Sequence, residues 1–230
     1  MSEPDARDQF DAVLALTIHD IKNSLVLLLD RLDGGALCAE EQDSASTFKY
    51  EIRRINNNLV RLLGVYKLGA DRYAPQMDEY EVGELLEELV AEYQALLANK
   101  GLAIELDCDA DLWGRFDRGL LFSVIENAIN NAARYSHSRV RIEAAREKGY
   151  LRIRVLDDGE GYPEWMLEQC ERIKDAAGID SGSGTTGLGL YFSWVVARLH
   201  ERDGRHGHIR LANDTELGGS CFEIALPDGD

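Results

Sequence analysis

Residues 117–161 read DRGLLFSVIENAINNAARYSHSRVRIEAAREKGYLRIRVLDDGEG, and the fold turns on this stretch. Asp117–Tyr135 is predicted as a helix, and Arg139–Ala145 and Tyr150–Leu156 as paired strands. The run Asp157-Asp158-Gly159-Glu160-Gly161 comes directly after the second strand. It puts a carboxylate at a strand end and glycines where the backbone must approach something closely. Upstream, Met77–Val82 reads as a short strand, Gly83–Lys100 as a Leu- and Glu-rich helix and Leu102–Asp107 as an alternating strand. Downstream, Gly187–His200 reads as a helix, with His208–Ala212 and Ser220–Leu226 as closing strands. Strands and helices mixed in this order imply a two-layer α/β sandwich with one helical face.

The same stretch carries chemistry. Asn127 and Asn131 stand one helical turn apart, with Arg134 and Tyr135 a turn later, so one helix edge presents amides, a cation and an aromatic ring. An amide oxygen is a hard ligand suited to Mg²⁺, a guanidinium pairs with phosphate, and a Tyr ring can stack on a purine. A capping or solvent-facing role would also account for the asparagines. A carboxylate at Asp157 can accept a hydrogen bond from an adenine amino group, although D-D-G-E-G is also good turn chemistry. Gly182–Leu190 (GSGTTGLGL) is a glycine-rich loop entering a helix, and its free N–H groups suit phosphate.

Before this region lie two apolar seams whose steps alternate four and three: Phe10, Leu14, Ile18, Ile21, Leu25, Leu28, Leu32, then Phe48, Ile52, Ile55, Leu59, Leu62, Tyr66. Asp33-Gly34-Gly35 ends the first helix, and the polar stretch to Ser46 lets the second fold back antiparallel. Two such helices with further apolar positions at Val13, Leu29, Val60 and Leu63 cannot hide all their apolar surface against each other. A second copy of the chain would complete a four-helix bundle, so a homodimer built on residues 8–70 is expected. The alternative is packing against the chain's own C-terminal domain. His19 flanks the first seam, where an imidazole is exposed on the bundle's side, with the acidic Asp20 beside it and Asn23 one turn on.

Composition narrows the classes. With 45% hydrophobic and 29% charged residues over 230 positions, the chain is globular and long enough for one large domain or two unequal ones. A net charge of −17 repels nucleic-acid phosphates and anionic membranes, so neither partner is expected. No apolar run reaches the roughly 18 residues of a membrane span. Met1–Asp11 is acidic and polar, unlike a secretory signal, and a cytoplasmic protein is expected. Cys38, Cys108, Cys170 and Cys221 form no C-x-x-C pair, which argues against a zinc site or disulfide framework.

Four blocks occur in a specific order: N-x-x-x-N-A-x-R-Y-S at Asn127–Ser136, D-x-G-x-G at Asp157–Gly161, G-L-G-L at Gly187–Leu190 and G-G-S-x-F-x-x-x-L-P at Gly218–Pro227. Together they resemble the ATP-binding domain of bacterial two-component sensor histidine kinases. His19-Asp20-Ile21-Lys22-Asn23-Ser24-Leu25 resembles that family's phosphoacceptor box. The resemblance implies an α+β chain: residues 1–72 form a dimerisation and phosphoacceptor hairpin within a dimeric four-helix bundle, and residues 73–230 form a Bergerat-type α/β sandwich that binds ATP. It implies phosphorylation at His19, with Asp20 orienting the imidazole and taking its proton, and Asn23 placed to position water for dephosphorylating a regulator. It implies Mg²⁺ on Asn131 with Asn127 beside it, phosphate and adenine near Arg134 and Tyr135, the adenine amino group on Asp157, and nucleotide-loop positions at Gly159, Gly161, Thr186, Gly187, Leu188 and Gly189.

The implied reaction moves the γ-phosphoryl of ATP to histidine and then to an aspartate on a response regulator receiver domain. In related chaperone, gyrase and mismatch-repair ATPases the residue four before the magnesium asparagine is a glutamate that activates water. Here it is Asn127, and Glu126 points about 100° away around the helix. Phosphoryl transfer to a protein group is therefore expected over hydrolysis. Ser24 and Thr185 depart from the family pattern, which usually has proline and glycine there, and Trp165 is the only aromatic between Tyr162 and Gly182. Only Met1–Gln9 precedes the first seam, so the input is expected from a separate sensory partner, the cytosol or the ATP domain itself. A histidine phosphotransferase and a nucleotide-gated adaptor without autokinase activity are the competing readings.

Overall fold

The computed structural model describes residues 74–109, 111–174, 188–213 and 215–229. The expected hairpin with His19, Asp20 and Asn23, and the loop positions Thr186 and Gly187, lie outside the described residues. Nearly all described residues belong to the unit Pro75–Ala177, Ser193–Asp230, whereas Ala74 and Leu188–Phe192 fall in a second unit.

The elements run β1 (Met77–Glu81), α1 (Val82–Asn99), β2 (Ala103–Cys108), β3 (Trp113–Asp117), α2 (Arg118–Tyr135), β4 (Arg139–Glu147), β5 (Tyr150–Asp157), α3 (Glu164–Lys174), α4 (Leu188–Leu199), β6 (Glu201–Arg202), β7 (Arg205–His206), β8 (His208–Ala212) and β9 (Cys221–Pro227). The main sheet has the order β2-β4-β5-β9-β8. β2 runs parallel to β4, and the other neighbours are antiparallel. Period-two alternation explains its two faces. Val140, Ile142, Ala144, Leu151, Ile153, Val155, Ile209, Phe222, Ile224 and Leu226 are buried on one face. The register Ile142↔Val155, Ile153↔Ile224 and Ile209↔Ile224 stacks them, and a slip by one residue would turn the whole set outward. Over this layer α1 packs against β2 and α2 against β5. Leu85, Leu86, Leu89 and Leu97 of α1, and Leu121, Val124, Ile125 and Ile129 of α2, are buried.

The opposite face is ionic. Arg154 donates from Nε to Glu223 at 2.8 Å and from Nη2 to Glu147 at 2.9 Å, while Arg152 Nη1 donates to Glu223 at 2.7 Å. A depression of about 540 Å³ opens on this face beside Arg154, Arg210 and Glu223, and none of the sequence-expected site residues lines it.

Four elements, β3, α3, β6 and β7, were not expected from the sequence. β3 pairs antiparallel with β1, Met77↔Asp117 through Glu81↔Trp113, in a separate two-stranded sheet. Its sequence WGRFD is short and interrupted by Gly114, so the strand owes more to this pairing and to the burial of Phe116 than to local preference. α3 begins with Met166 N–H donating to Pro163 O at 2.9 Å and buries Cys170 and Ile173. β6 and β7 form a hairpin across Asp203 and Gly204, at φ 53° and 71°. That is the pair of positive angles a tight two-residue hairpin turn needs, and Asp-Gly supplies it cheaply. Its flanks are charged rather than alternating, which hid it in the sequence.

Candidate functional site

The site residues sit on α2 and on the loop that leaves β5. Asp117 starts α2 by accepting the Leu120 N–H on Oδ1 at 3.0 Å, a side-chain N-cap. The apolar face of α2 then faces the core, which leaves two polar edges. On one edge Asn127 is buried, Asn131 is half-buried, and Arg134 and Tyr135 are exposed, Tyr135 at 56%. Among the described residues neither asparagine side chain has a hydrogen-bonding partner, and Arg134 has no ion pair. On the other edge the Tyr93 hydroxyl of α1 donates to Glu126 Oε1 at 2.9 Å and accepts from Asn130 Nδ2 at 2.8 Å. Burial, reinforced by the Glu126 charge, pushes the Tyr93 hydroxyl far above its ordinary pKa. The Glu126 carboxylate is therefore committed to α1, on the edge away from Asn127 and Asn131.

At the end of β5 the Asp157 carboxylate is buried and held by the backbone. Its Oδ1 accepts the N–H groups of Gly159 (2.8 Å) and Ser220 (3.2 Å), and its Oδ2 accepts the Ser220 hydroxyl. The Asp157 N–H also donates to Ser220 O at 3.0 Å. Gly219 must be glycine, because a Cβ there would stand 2.5 Å from Asp157 O, Asp157 Oδ1 and Gly159 N. The next carboxylate, Asp158, faces away from Asp157's partners. It accepts the N–H groups of His137 (2.9 Å), Ser138 (3.1 Å) and Arg139 (3.1 Å), and the Ser138 hydroxyl at 2.5 Å. Burial alone would raise its pKa, but these donors hold it far below the usual carboxylate range.

Asp158 thus ties the chain just past α2 to the end of β5. A Cβ at Gly159 would lie 2.3 Å from Tyr135 O, so the last turn of α2 and the Asp157 loop are in direct backbone contact. Gly161 has φ +86° and backs onto Asn213, whose amide is bonded to both Tyr162 N–H (2.7 Å) and Tyr162 O (2.8 Å). Burial, against a hydrogen bond with Ser220, raises the Tyr162 hydroxyl pKa well above its ordinary value.

The fold therefore brings the last turn of α2, which holds Arg134 and Tyr135, against the loop with Asp157, Gly159 and Gly161, while Asn131 and Asn127 lie one and two turns back along the same helix. Leu188 and Gly189 form the first turn of α4, in the second unit. Ser220, Gly219, Asp158 and Asn213 organise the junction and were not assigned from sequence; the G-G-S block held the signal for the first two. Among the described residues no group of His, Cys, Asp or Glu could hold a metal ion. The free amides of Asn127 and Asn131 fit a different donor set, in which Mg²⁺ takes one or two protein oxygens and the rest from phosphates and water. Among the described residues no helix is long and apolar enough to cross a membrane.

Comparison with known proteins agrees with this fold. Residues 116–230 match the family model described as Histidine kinase-, DNA gyrase B-, and HSP90-like ATPase. The chain is 28% identical over 196 residues to the signal transduction histidine-protein kinase AfsQ2 of Streptomyces coelicolor, covering 85% of this chain and 35% of that protein. It is 29% identical over 233 residues to the adaptive-response sensory kinase SasA of Crocosphaera subtropica, covering 94% and 59%. The chain thus spans about one third to three fifths of the length of these curated relatives. Among solved structures it resembles the Acinetobacter baumannii histidine kinase AdeS with a TM-score of 0.63 at 17% identity, covering 92% of this chain and 98% of that one. It also resembles the histidine kinase ThkA solved in complex with response regulator protein TrrA, with a TM-score of 0.60 at 16% identity, covering 98% and 64%. These likenesses fix the histidine-kinase ATPase type of α/β fold.

Proposed function

The chain belongs to the histidine kinase-, DNA gyrase B- and HSP90-like ATPase family, and from that premise we propose that it is an ATP-dependent, autophosphorylating protein histidine kinase. Its phosphoryl group passes from His19 to an aspartate on a response regulator, and the same chain can act as that regulator's phosphatase. The observation that carries the reading is the commitment of the Glu126 carboxylate to Tyr93, while Asn127 and Asn131 keep free amides. No general base then stands on the nucleotide edge of α2, which favours transfer to a protein acceptor over hydrolysis by water.

In this reading the buried Asp157 carboxylate accepts the adenine amino group on Oδ2, with the Ser220 hydroxyl fixing that oxygen's orientation. Tyr135 lies along the base, Arg134 faces the phosphates, and the N–H groups around Gly187, Leu188 and Gly189 cradle them. Asn131, with Asn127 beside it, would hold Mg²⁺, which when bound neutralises phosphate charge. His19 Nε2 attacks the γ-phosphorus, the N–P bond forms as the bond to the β-phosphate oxygen breaks, and ADP leaves with that electron pair. Asp20 holds the Nδ1 proton and takes it as the imidazole acquires charge. Residues 1–72 supply the helical hairpin that places His19 and pairs two copies, and residues 73–230 supply the ATP domain.

Calorimetric titration of ATP and GTP into wild type and Asp157→Asn tests the site. The wild type should prefer ATP, and the variant, which presents an amide where a carboxylate stood, should lose ATP affinity by about tenfold or more. Equal ATP binding by the two proteins would remove Asp157 from the site.

A further inference from the structure

We propose that His200 is a positioning residue for nucleotide binding, whose neutral ring staples the end of α4 to the start of α2 and whose protonation opens that staple. The proposal rests on the nucleotide-binding reading above. His200 comes just after the last residue of α4 and is only 3% exposed. Its Nδ1 lies 2.7 Å from Val196 O, and its Nε2 lies 3.1 Å from the Asp117 backbone nitrogen. A carbonyl can only accept and a main-chain N–H can only donate, so the tautomer is forced. Nδ1 carries the proton and Nε2 offers its lone pair.

The bonded residue sets where α2 begins. Asp117 caps α2 through Leu120 N–H, and its Oδ2 accepts the Gln76 N–H at 2.9 Å. With the His200 bond, its amide and both carboxylate oxygens are engaged. α2 carries Asn127 and Asn131 as one rigid rod, and α4 opens at Leu188 and Gly189. The Ser193–Leu199 end of α4 is thereby bonded through His200 to the start of the helix that carries Asn127 and Asn131, without His200 being part of the site itself.

A second ring proton would point Nε2–H at Asp117 N–H, two donors face to face, and the bond would be lost. Burial holds the ring below the ordinary histidine range, outweighing the Val196 carbonyl and the Asp117 charge, which both favour protonation. From β3 the charged group bearing on the ring is Asp117. Glu201 of β6, the next residue in the chain, instead has its carboxylate 3.7 Å from His206 Nδ1 of β7. The folded ring is therefore neutral at neutral pH. It gains its proton only below the ordinary histidine value of about 6.5, and the staple fails as pH falls through that range.

The test is the affinity of the full chain for a fluorescent ATP analogue with Mg²⁺, from about pH 7.5 to about pH 5.5, in wild type, His200→Gln and His200→Ala. Glutamine can accept the Asp117 N–H and does not titrate. Wild type should lose more affinity than His200→Gln at the acid end of this range, by less than about tenfold because the ring protonates only below about 6.5. His200→Ala should bind weakly at every pH, with a flat profile. Identical affinities and identical pH profiles in wild type and His200→Gln would overturn the proposal, even where His200→Ala fails to fold. If no protein binds nucleotide at any pH, the nucleotide reading fails, and amide exchange decides the staple. Faster acid-side exchange at Asp117 and Leu120 in wild type than in His200→Gln upholds it, and equal exchange refutes it.

Discussion

Gly159→Ala probes the junction that joins the two halves of the candidate site. The added methyl would stand 2.3 Å from Tyr135 O, 2.9 Å from Tyr135 C and 3.1 Å from Asp157 Oδ1. Gly159 is not among the positive-φ residues, so the cost is steric rather than conformational. Both Tyr135 atoms are backbone, and neither can rotate away. Relief needs a shift of roughly 1 Å between the last turn of α2 and the end of β5, an overpacking strain of about 1–3 kcal/mol. That shift also weakens the 2.8 Å bond from Gly159 N–H to Asp157, a hydrogen bond to a charged acceptor worth about 1.5–3 kcal/mol. A combined loss near 3 kcal/mol corresponds to a melting temperature lower by roughly 6–10 °C, or to an affinity loss of up to about a hundredfold if it falls on binding. Thermal unfolding and then ATP titration below the transition separate the two. Gly101→Ala is the control, because it has φ +74° and no atom within 4 Å of the added carbon. It should cost about 1 kcal/mol of stability and leave ATP binding unchanged. A Gly159→Ala protein that melts and binds like wild type would refute the contact between Tyr135 and the Asp157 loop.

The same geometry sets two further outcomes. Asp158 has a depressed folded-state pKa, so the stability it supplies is present above the unfolded value of about 3.9 and is lost as pH falls through the folded one. Asp158→Asn should therefore be less stable than wild type at neutral pH, with the gap closing in acid; a gap that stays constant down to about pH 2 would contradict the assignment. Glu126→Gln keeps a partner for the Tyr93 hydroxyl and removes only the charge. Phosphoryl transfer from ATP should persist within about twofold, whereas a loss of a hundredfold or more would make Glu126 a catalytic base after all.

How far the sequence reached can be judged at these residues. Helical period alone separates Glu126 from the Asn127–Asn131 edge, and the structure supplies the reason it stays there: Tyr93, on a different helix. Asp157 is legible as a carboxylate at a strand end, because alternation marks β5 and the glycines mark the tight loop after it. Its dependence on Ser220 is not legible, since the two lie 63 positions apart and meet only through the pairing of β5 with β9. Asp158 reads as turn chemistry, yet it caps the exit from α2. β3 and the β6–β7 hairpin escaped for a related reason: their stability comes from pairing and from a two-residue turn rather than from a hydrophobic pattern of their own. His200 looks like any residue at a helix end until Asp117 is placed beside it.

Transfer of phosphate to His19 is the central claim, and labelling measures it most directly. Purified protein is incubated with Mg²⁺ and γ-labelled ATP, comparing wild type with His19→Gln and Asn131→Ala. Acid-labile, base-stable label on wild type, absent from both variants, is the result expected of an autokinase with these assignments. Wild type that binds ATP yet stays unlabelled, or label that persists in His19→Gln, would contradict it.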